Sequence, residues 1–257
     1  MVLRSVPVPT RPEPSLPEDS ANPATSHAHH RRIPEATVGR LPVYQRILEE
    51  VLRSGTTTVS SDLLGSLARV NPAQVRKDLS LLGSFGTRGA GYDTAFLVEQ
   101  IDRELGLNHV WPIVIVGIGN LGRALAHSQG FIARGFKVMA LLDIDPEVIG
   151  ETVDDVVISH LDSLPAIAAE QPLAIGVIAT PAPAAQGVAD LLVASGVRSI
   201  LNFAPKVLTL GPDILLRYVD LSIELQIMSF YQSRRSLDGE EGMPVIRSIG
   251  MTSANLD

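Results

Sequence analysis

Residues 112–122 read Pro112-Ile113-Val114-Ile115-Val116-Gly117-Ile118-Gly119-Asn120-Leu121-Gly122. The first five form a short, continuously apolar run, the pattern of a parallel strand buried on both faces. A G-x-G-x-x-G turn follows at once, and a helical pattern opens inside it. Such a glycine triplet says little alone; the order strand, glycine turn, helix gives it a meaning. Gly117 is expected to allow the sharp turn, Gly119 to let an anion approach the backbone, and Gly122 to let helix and strand pack closely. The helix N-terminus presents free N–H groups and the positive end of its dipole to that anion. The turn Gly117 to Gly122, with Ile118, Asn120 and Leu121 between the glycines, is thus the expected pyrophosphate site. Leu121, Ala124 and Leu125 are expected on the inner side of the helix.

A second strand, residues 137–142, ends at Asp143, 26 residues after Gly117. A carboxylate there accepts hydrogen bonds from an adenosine 2′-hydroxyl and repels a 2′-phosphate, favouring NAD(H) over NADP(H). Asp145 competes for the role, but it precedes Pro146 and reads as the start of a turn. The βα alternation continues with a strand at 174–179, a helix at 184–195 and a strand at 199–202. Ligands of such sheets lie beyond the carboxyl ends of the strands. The loops beginning at Thr180-Pro181 and at Asn202-Phe203 therefore either face the cofactor or serve as ordinary turns. Residues 110–212 are expected to form a Rossmann-type parallel-sheet domain.

Residues 38–92 read as a winged helix-turn-helix. Tyr44 and Leu48, with Val43, Ile47 and Val51, recur at helical spacing after Pro42, and Gly55 ends that helix. Ser60 or Ser61 caps a second helix bearing Leu63, Leu64 and Leu67. Asn71-Pro72 starts a third: an N-cap, then proline at the first helical position. Val75, Leu79 and Leu82 form its core stripe. Ala73, Lys77 and Ser80 point away from it, with Gln74 and Arg76 on the flanks. Short polar residues let the backbone enter a groove while cations meet phosphates or guanine edges. The following stretch, residues 83–92, carries four glycines in nine residues and suits a wing with Thr87 and Arg88 near its tip, the arginine placed for a minor groove. The bland alternative is a three-helix dimerisation domain with solvated cations.

Net charge is −7, yet it is unevenly spread. Residues 38–88 hold seven Arg/Lys against four Asp/Glu; residues 89–257 hold ten against 20, a basic module on an acidic body. With no cysteine, disulfides, thiolate metal sites and thiol nucleophiles are excluded, so any redox response must act through something bound. No apolar run approaches the roughly 18 residues of a membrane span, and no signal-peptide core is present, so a soluble, cytoplasmic protein is expected.

Residues 1–37 carry seven of the 18 prolines and read as a disordered tail. His27, His29 and His30 beside Arg31 and Arg32 either bind a metal or form a solvated basic tail; no partner ligand lies at a useful spacing. Residues 93–109 read as a linker helix with Phe96, Leu97, Ile101 and Leu105 as its stripe. Within 213–235, the helix at 219–235 is apolar on two faces: Leu221, Leu225 and Met228 on one, Ile223, Ile227 and Phe230 on the other. Such a helix must be buried on both. It either inserts into a partner subunit or is sandwiched between the domains of one chain. Residues 236–257 read as a second disordered tail.

The stretches Gln74-Val-Arg-Lys-Asp-Leu-Ser80, Gly83-Ser-Phe-Gly-Thr-Arg-Gly-Ala-Gly-Tyr92, Gly117 to Gly122, Ile200-Leu-Asn-Phe-Ala-Pro205 and Val219-Asp220-Leu221 together resemble the redox-sensing transcriptional repressor Rex family, over about residues 33–235. The resemblance implies a homodimer with exchanged C-terminal helices. It also implies that operator DNA is released on binding NADH, and that the protein senses the NADH/NAD+ ratio and is not an enzyme. It places the pyrophosphate at Gly117–Gly122, the ribose at Asp143, and Asp220 near the nicotinamide or, in the other state, paired with Arg46. Where family members often carry a tyrosine, this chain has Ser128, preceded by His127; Arg46, Ser128 and Asp220 are the switch positions.

Two other classes compete. An NAD-dependent dehydrogenase needs a positioned acid or base; His127, His160, Lys137, Lys206 and Tyr218 form no recognisable constellation, and no substrate domain follows the sheet. A CoA-binding module shares this sheet variant, and Asp143 counts against it.

Overall fold

The structure, a computed structural model, describes residues 33–83 and 91–238. The basic tail with His27, His29 and His30, the wing residues Thr87 and Arg88, and the tail beyond residue 238 lie outside these.

The N-terminal elements are α1 (Glu35–Val38), α2 (Leu41–Arg53), β1 (Thr58–Val59), α3 (Ser61–Ala68), α4 (Pro72–Leu82), β2 (Tyr92–Asp93) and α5 (Thr94–Glu104). Local chemistry sets the ends of the helix-turn-helix pair α3–α4. Ser60 Oγ accepts the Leu63 N–H at 3.0 Å, and Asn71 Oδ1 accepts the Ala73 N–H at 2.8 Å. Between them Arg69 takes the left-handed conformation, with φ 55°. Tyr44, Leu48, Leu64, Val75, Leu79, Leu97 and Ile101 are buried together as one core. β1 and β2 pair antiparallel, Val59 opposite Tyr92, at the base of the segment where the wing is expected.

Three boundaries differ from the expectations. α1 occupies residues read as tail, because Thr37 is drawn into the core by a polar partner described below. The expected linker helix is α5, whose Leu97 and Ile101 belong to the N-terminal core. Its stripe faces α2, so it serves as a wall of the domain and not as a tether.

The second half comprises β3 (Trp111–Val116), α6 (Asn120–Ala126), α7 (Gln129–Ile132), β4 (Phe136–Asp143), β5 (Thr152–Val153), β6 (Val156–His160), α8 (Leu164–Glu170), β7 (Ile175–Ile178), α9 (Ala182–Ala194), β8 (Ser199–Asn202), β9 (Leu215–Tyr218) and α10 (Leu221–Asp238). The seven strands lie in the order β5-β6-β4-β3-β7-β8-β9, parallel except for β5. β9 is the third difference: the sheet continues past residue 212, in register with β8.

Alternation along the strands divides the core. Val114, Val116, Ala140, Leu142, Ile178 and Ile200 pack with α8 and α9 on one face; Ile115, Leu141, Ile158 and Val177 pack with Ile118 and Ala126 on the other. On α6 the buried residues are Gly122 and Ala126, with Leu125 partly covered, whereas Leu121 and Ala124 face outward. The glycine turn rotates the helix so that its smallest side chains meet the sheet. From β3 the chain moves first toward β6 and then back toward β9, so the strand order reverses between β3 and β7. That reversal opens a crevice at their carboxyl ends. Among the described residues, no helix is long and apolar enough to cross a membrane.

Candidate nucleotide and nucleic-acid interfaces

A cavity of about 570 Å³ opens at the crevice between β3 and β7, a size suited to a cofactor. Gly117, Gly119 and Leu121 form one wall, Thr180, Pro181, Ala184 and Gly187 another, and Asp143, Ile144 and Leu161 close the end beyond β4. Gly117 has φ 94°, which a side chain rarely tolerates. A Cβ on Gly122 would lie 1.9 Å from the Gly117 carbonyl oxygen, so helix and turn approach as closely as backbone allows. Beside Gly119, by contrast, the space is open.

Asp143 closes this turn. Its Oδ2 accepts the Ile118 N–H at 2.5 Å, and its Oδ1 accepts the N–H groups of Ile144 and Asp145 at 2.7 and 3.0 Å. The carboxylate thus shapes the glycine turn while standing at the cavity edge. Asp145 Oδ1 accepts the Glu147 N–H and begins a turn. Thr180 Oγ1 is buried at the wall with no protein partner. An open cradle at Gly119, an orphaned hydroxyl and a fixed carboxylate fit a dinucleotide.

Not every expected residue reaches the cavity. Asn202 is buried and its amide is consumed locally: Nδ2 donates to the carbonyls of Ala204 and Lys206, and Oδ1 accepts the Ala204 N–H. It shapes the loop that carries Phe203 to the cavity wall, so Phe203 takes the place expected of Asn202. Ile118 is buried in the core and offers only its backbone; Asn120 is exposed at the start of α6.

Among the described residues, no hydrogen bond or ion pair joins the three switch positions. Asp220 Oδ1 accepts both the N–H and the hydroxyl of Ser222, at 2.8 and 2.6 Å, capping α10. These bonds hold its carboxyl below the ordinary range. Arg46 is exposed on α2, and no pair between it and Asp220 is present among the described residues. Ser128 precedes α7 and makes no side-chain cap. His127 turns toward the β5–β6 turn, its Nδ1 2.8 Å from Asp154 Oδ1.

On α4, Ala73, Arg76, Lys77 and Ser80 are exposed. Arg76 Nη1 donates to Ser61 Oγ at 2.7 Å, so α3 holds the guanidinium in place, and Ser80 Oγ donates to the Lys77 carbonyl. Gln74 departs from the expectation: its amide turns inward and donates to Asp78 at 2.8 Å. Asp78 is the polar feature the sequence reading missed. Fully buried, its carboxylate accepts from Thr37 Oγ1 (3.0 Å), Arg40 Nε and Nη2 (2.7 Å each), Tyr44 Oη (2.9 Å) and Gln74. A lone acid three residues after a core valine was the available signal.

Two family models match the chain: "Putative DNA-binding protein N-terminus" over residues 32–80 and "CoA binding domain" over residues 108–206. The redox-sensing transcriptional repressor Rex of Streptomyces coelicolor is 55% identical over 223 residues, covering 85% of this chain and 86% of that protein. The chain belongs to the Rex family. The Rex of Syntrophomonas wolfei is 48% identical over 200 residues, 78% of this chain and 95% of its own. Among solved structures, a Rex-family repressor called RSP, bound to β-NAD+ and operator DNA, superposes with TM-score 0.76 at 34% identity, covering 80% of this chain and 94% of its own. RSP with β-NADH gives 0.73 at 32%, covering 80% and 97%. The Rex family thus unites the helix-turn-helix and the parallel sheet described above.

Proposed function

We propose that this chain is a cytoplasmic transcriptional repressor that senses the NADH/NAD+ ratio. It binds operator DNA as a homodimer and releases it when NADH occupies the cavity over the glycine turn. One observation carries the reading: a single chain pairs an exposed basic helix of a helix-turn-helix with a dinucleotide-sized cavity that offers no acid–base machinery. Among the described residues, Asp143 is the one titratable residue lining that cavity. Among the described residues, no His, Lys or Tyr lines it to serve a hydride transfer. The likeness to RSP in its operator-bound and NADH-bound forms supports the same reading.

In this reading the Gly117–Gly122 turn holds the pyrophosphate, Asp143 the adenosine ribose, and Thr180 and Pro181 the wall nearest β7. When bound, NAD(H) supplies the oxidation state that is sensed; the protein supplies only differential affinity. Arg76, Lys77 and Ser80 meet the DNA, together with Thr87 and Arg88. The exposure of Leu221 (67%), Leu225 (65%), Met228 (63%) and Phe230 (50%) supports the exchange of α10 into a second copy, since one chain leaves both its faces bare. In this reading Arg46, Ser128 and Asp220 are the switch positions, with Asp220 either near the nicotinamide or paired with Arg46.

Fluorescence anisotropy of a labelled palindromic operator tests the proposal. NADH is expected to dissociate the complex at concentrations where NAD+ leaves it intact. Equal effects of the two forms, or none, contradict it.

A further inference from the structure

We propose that α1 links the nucleotide-binding sheet to the DNA-reading helix within one subunit, with Glu35–Arg217 at one end and Thr37/Arg40–Asp78 at the other. The inference rests on the repressor reading above and adds coupling residues to it.

The sheet end begins at the cavity wall. Phe203 lines the cavity and follows Asn202, which lies opposite Tyr218 in the β8–β9 register. Tyr218 Oη accepts the Leu208 N–H at 2.8 Å, and the Val219 N–H donates to the Asn202 carbonyl at 2.9 Å. The end of β9 is thereby fastened to the loop that forms the wall. Arg217, next to Tyr218, sends Nη1 to 3.7 Å from Glu35 Oε1 on α1. Two residues beyond Tyr218, Asp220 caps α10. The same short stretch therefore meets the cavity loop, α1 and the helix read as entering the second subunit.

The DNA end is stiff. Thr37 and Arg40, on α1 and just beyond it, donate three hydrogen bonds to the buried carboxylate of Asp78 on α4. Lys77, the residue before Asp78, is exposed on the DNA-facing side. A buried carboxylate held by several donors resists sliding, because displacing α1 would strip it of its Thr37 and Arg40 donors, the compensating cation included, with no water to replace them. A displacement of α1 is thus passed to α4 and not absorbed between them. The Glu35–Arg217 pair is part-exposed and weak, which suits a contact that must be exchangeable between two states.

The test measures coupling, the ratio of NADH dissociation constants with and without operator, in Glu35→Arg, in Arg217→Glu and in the double reversal. Each single reversal is expected to lower the ratio by about two- to fivefold, as loss of a part-exposed ion pair allows. NADH affinity of the free protein and operator affinity without nucleotide should stay within about twofold, again the scale of an exposed pair. The double reversal should restore the ratio. The inference is overturned if the single variants keep the wild-type ratio, if the double reversal fails to restore it, or if both separate affinities fall in parallel, which marks a merely structural contact. Wild-type protein with no coupling overturns the repressor reading itself, and this one with it.

Discussion

The carboxylate of Asp143, at the end of β4, accepts the backbone N–H of Ile118 in the glycine turn after β3, at 2.5 Å. The acid expected to select the nucleotide therefore also sets the shape of the loop proposed to hold it. Asp143→Asn keeps the size but removes the charge and can weaken that bond. Loss of a charged hydrogen bond costs about 1.5–3 kcal/mol, so NADH affinity is expected to fall roughly ten- to hundredfold. NADPH, no longer repelled, should lose less. Titrations of both nucleotides by fluorescence read this. Wild-type protein that binds NADPH as tightly as NADH would show that Asp143 does not face the ribose.

Gly119 and Gly122 differ in what a side chain meets. The space beside Gly119 is open in the protein, so Gly119→Val should fold, yet its side chain would stand where the proposed site puts the pyrophosphate against the backbone. About 1–3 kcal/mol of crowding predicts a roughly five- to 150-fold loss of NADH affinity with operator binding retained, hence a repressor that NADH does not release. At Gly122 a Cβ meets the Gly117 carbonyl at 1.9 Å, so Gly122→Ala should already lower thermal stability. Thermal melts of both variants beside NADH titrations separate the two effects.

Much of this was legible in residues whose chemistry is local. The apolar run 112–116, the glycine spacing, Asn71-Pro72 and the Val75/Leu79 stripe each specify a conformation from within a few residues. β9 escaped because Leu215–Tyr218 is four residues long, with nothing in its own pattern to distinguish it from a loop; its pairing with β8 makes it a strand. The rotation of α6 and the inward turn of Gln74 depend on partners far along the chain. So does Asp78, whose donors Thr37, Arg40 and Tyr44 lie 34 to 41 residues earlier. Asn202 misled for the opposite reason: its position at a strand end was read correctly, but a local turn had already taken its hydrogen bonds.

Asp78 gives the N-terminal domain an acid limit. Burial pushes its carboxyl up, and hydrogen bonds from Arg40, Gln74, Tyr44 and Thr37 outweigh this and hold it below its ordinary value. A group depressed in the folded state stabilises the fold above its unfolded value, near 4, and that contribution disappears as pH falls through the folded value. Stability should therefore decline on acidification below about pH 4. Asp78→Asn should be weaker by about 3 kcal/mol at pH 7, since Arg40 loses its buried partner, and should show a flatter acid dependence. Urea denaturation across pH 3–7 measures both; parallel pH profiles for variant and wild type would contradict the assignment.

Lys77 is exposed on α4 and bonds to the DNA only in the proposed complex. If it meets phosphate, Lys77→Ala should weaken binding to all sequences alike and lower the salt slope by about one. If it meets a base edge, discrimination at one operator position should drop by about 1–3 kcal/mol. NADH affinity should not change in either case. Operator and scrambled DNA, each titrated at several salt concentrations, distinguish these outcomes, and unchanged binding to both removes this face from the interface.

A ligand that binds two states equally shifts neither, so a repressor released by NADH must bind NADH more weakly when it holds its operator. The reciprocity is thermodynamic and independent of which residues carry it. The decisive measurement is therefore the NADH dissociation constant of the full-length protein, free and saturated with operator duplex. The account predicts that the operator weakens NADH binding by about 5- to 150-fold, with a smaller effect or the opposite one for NAD+. The same NADH dissociation constant in both conditions would contradict it.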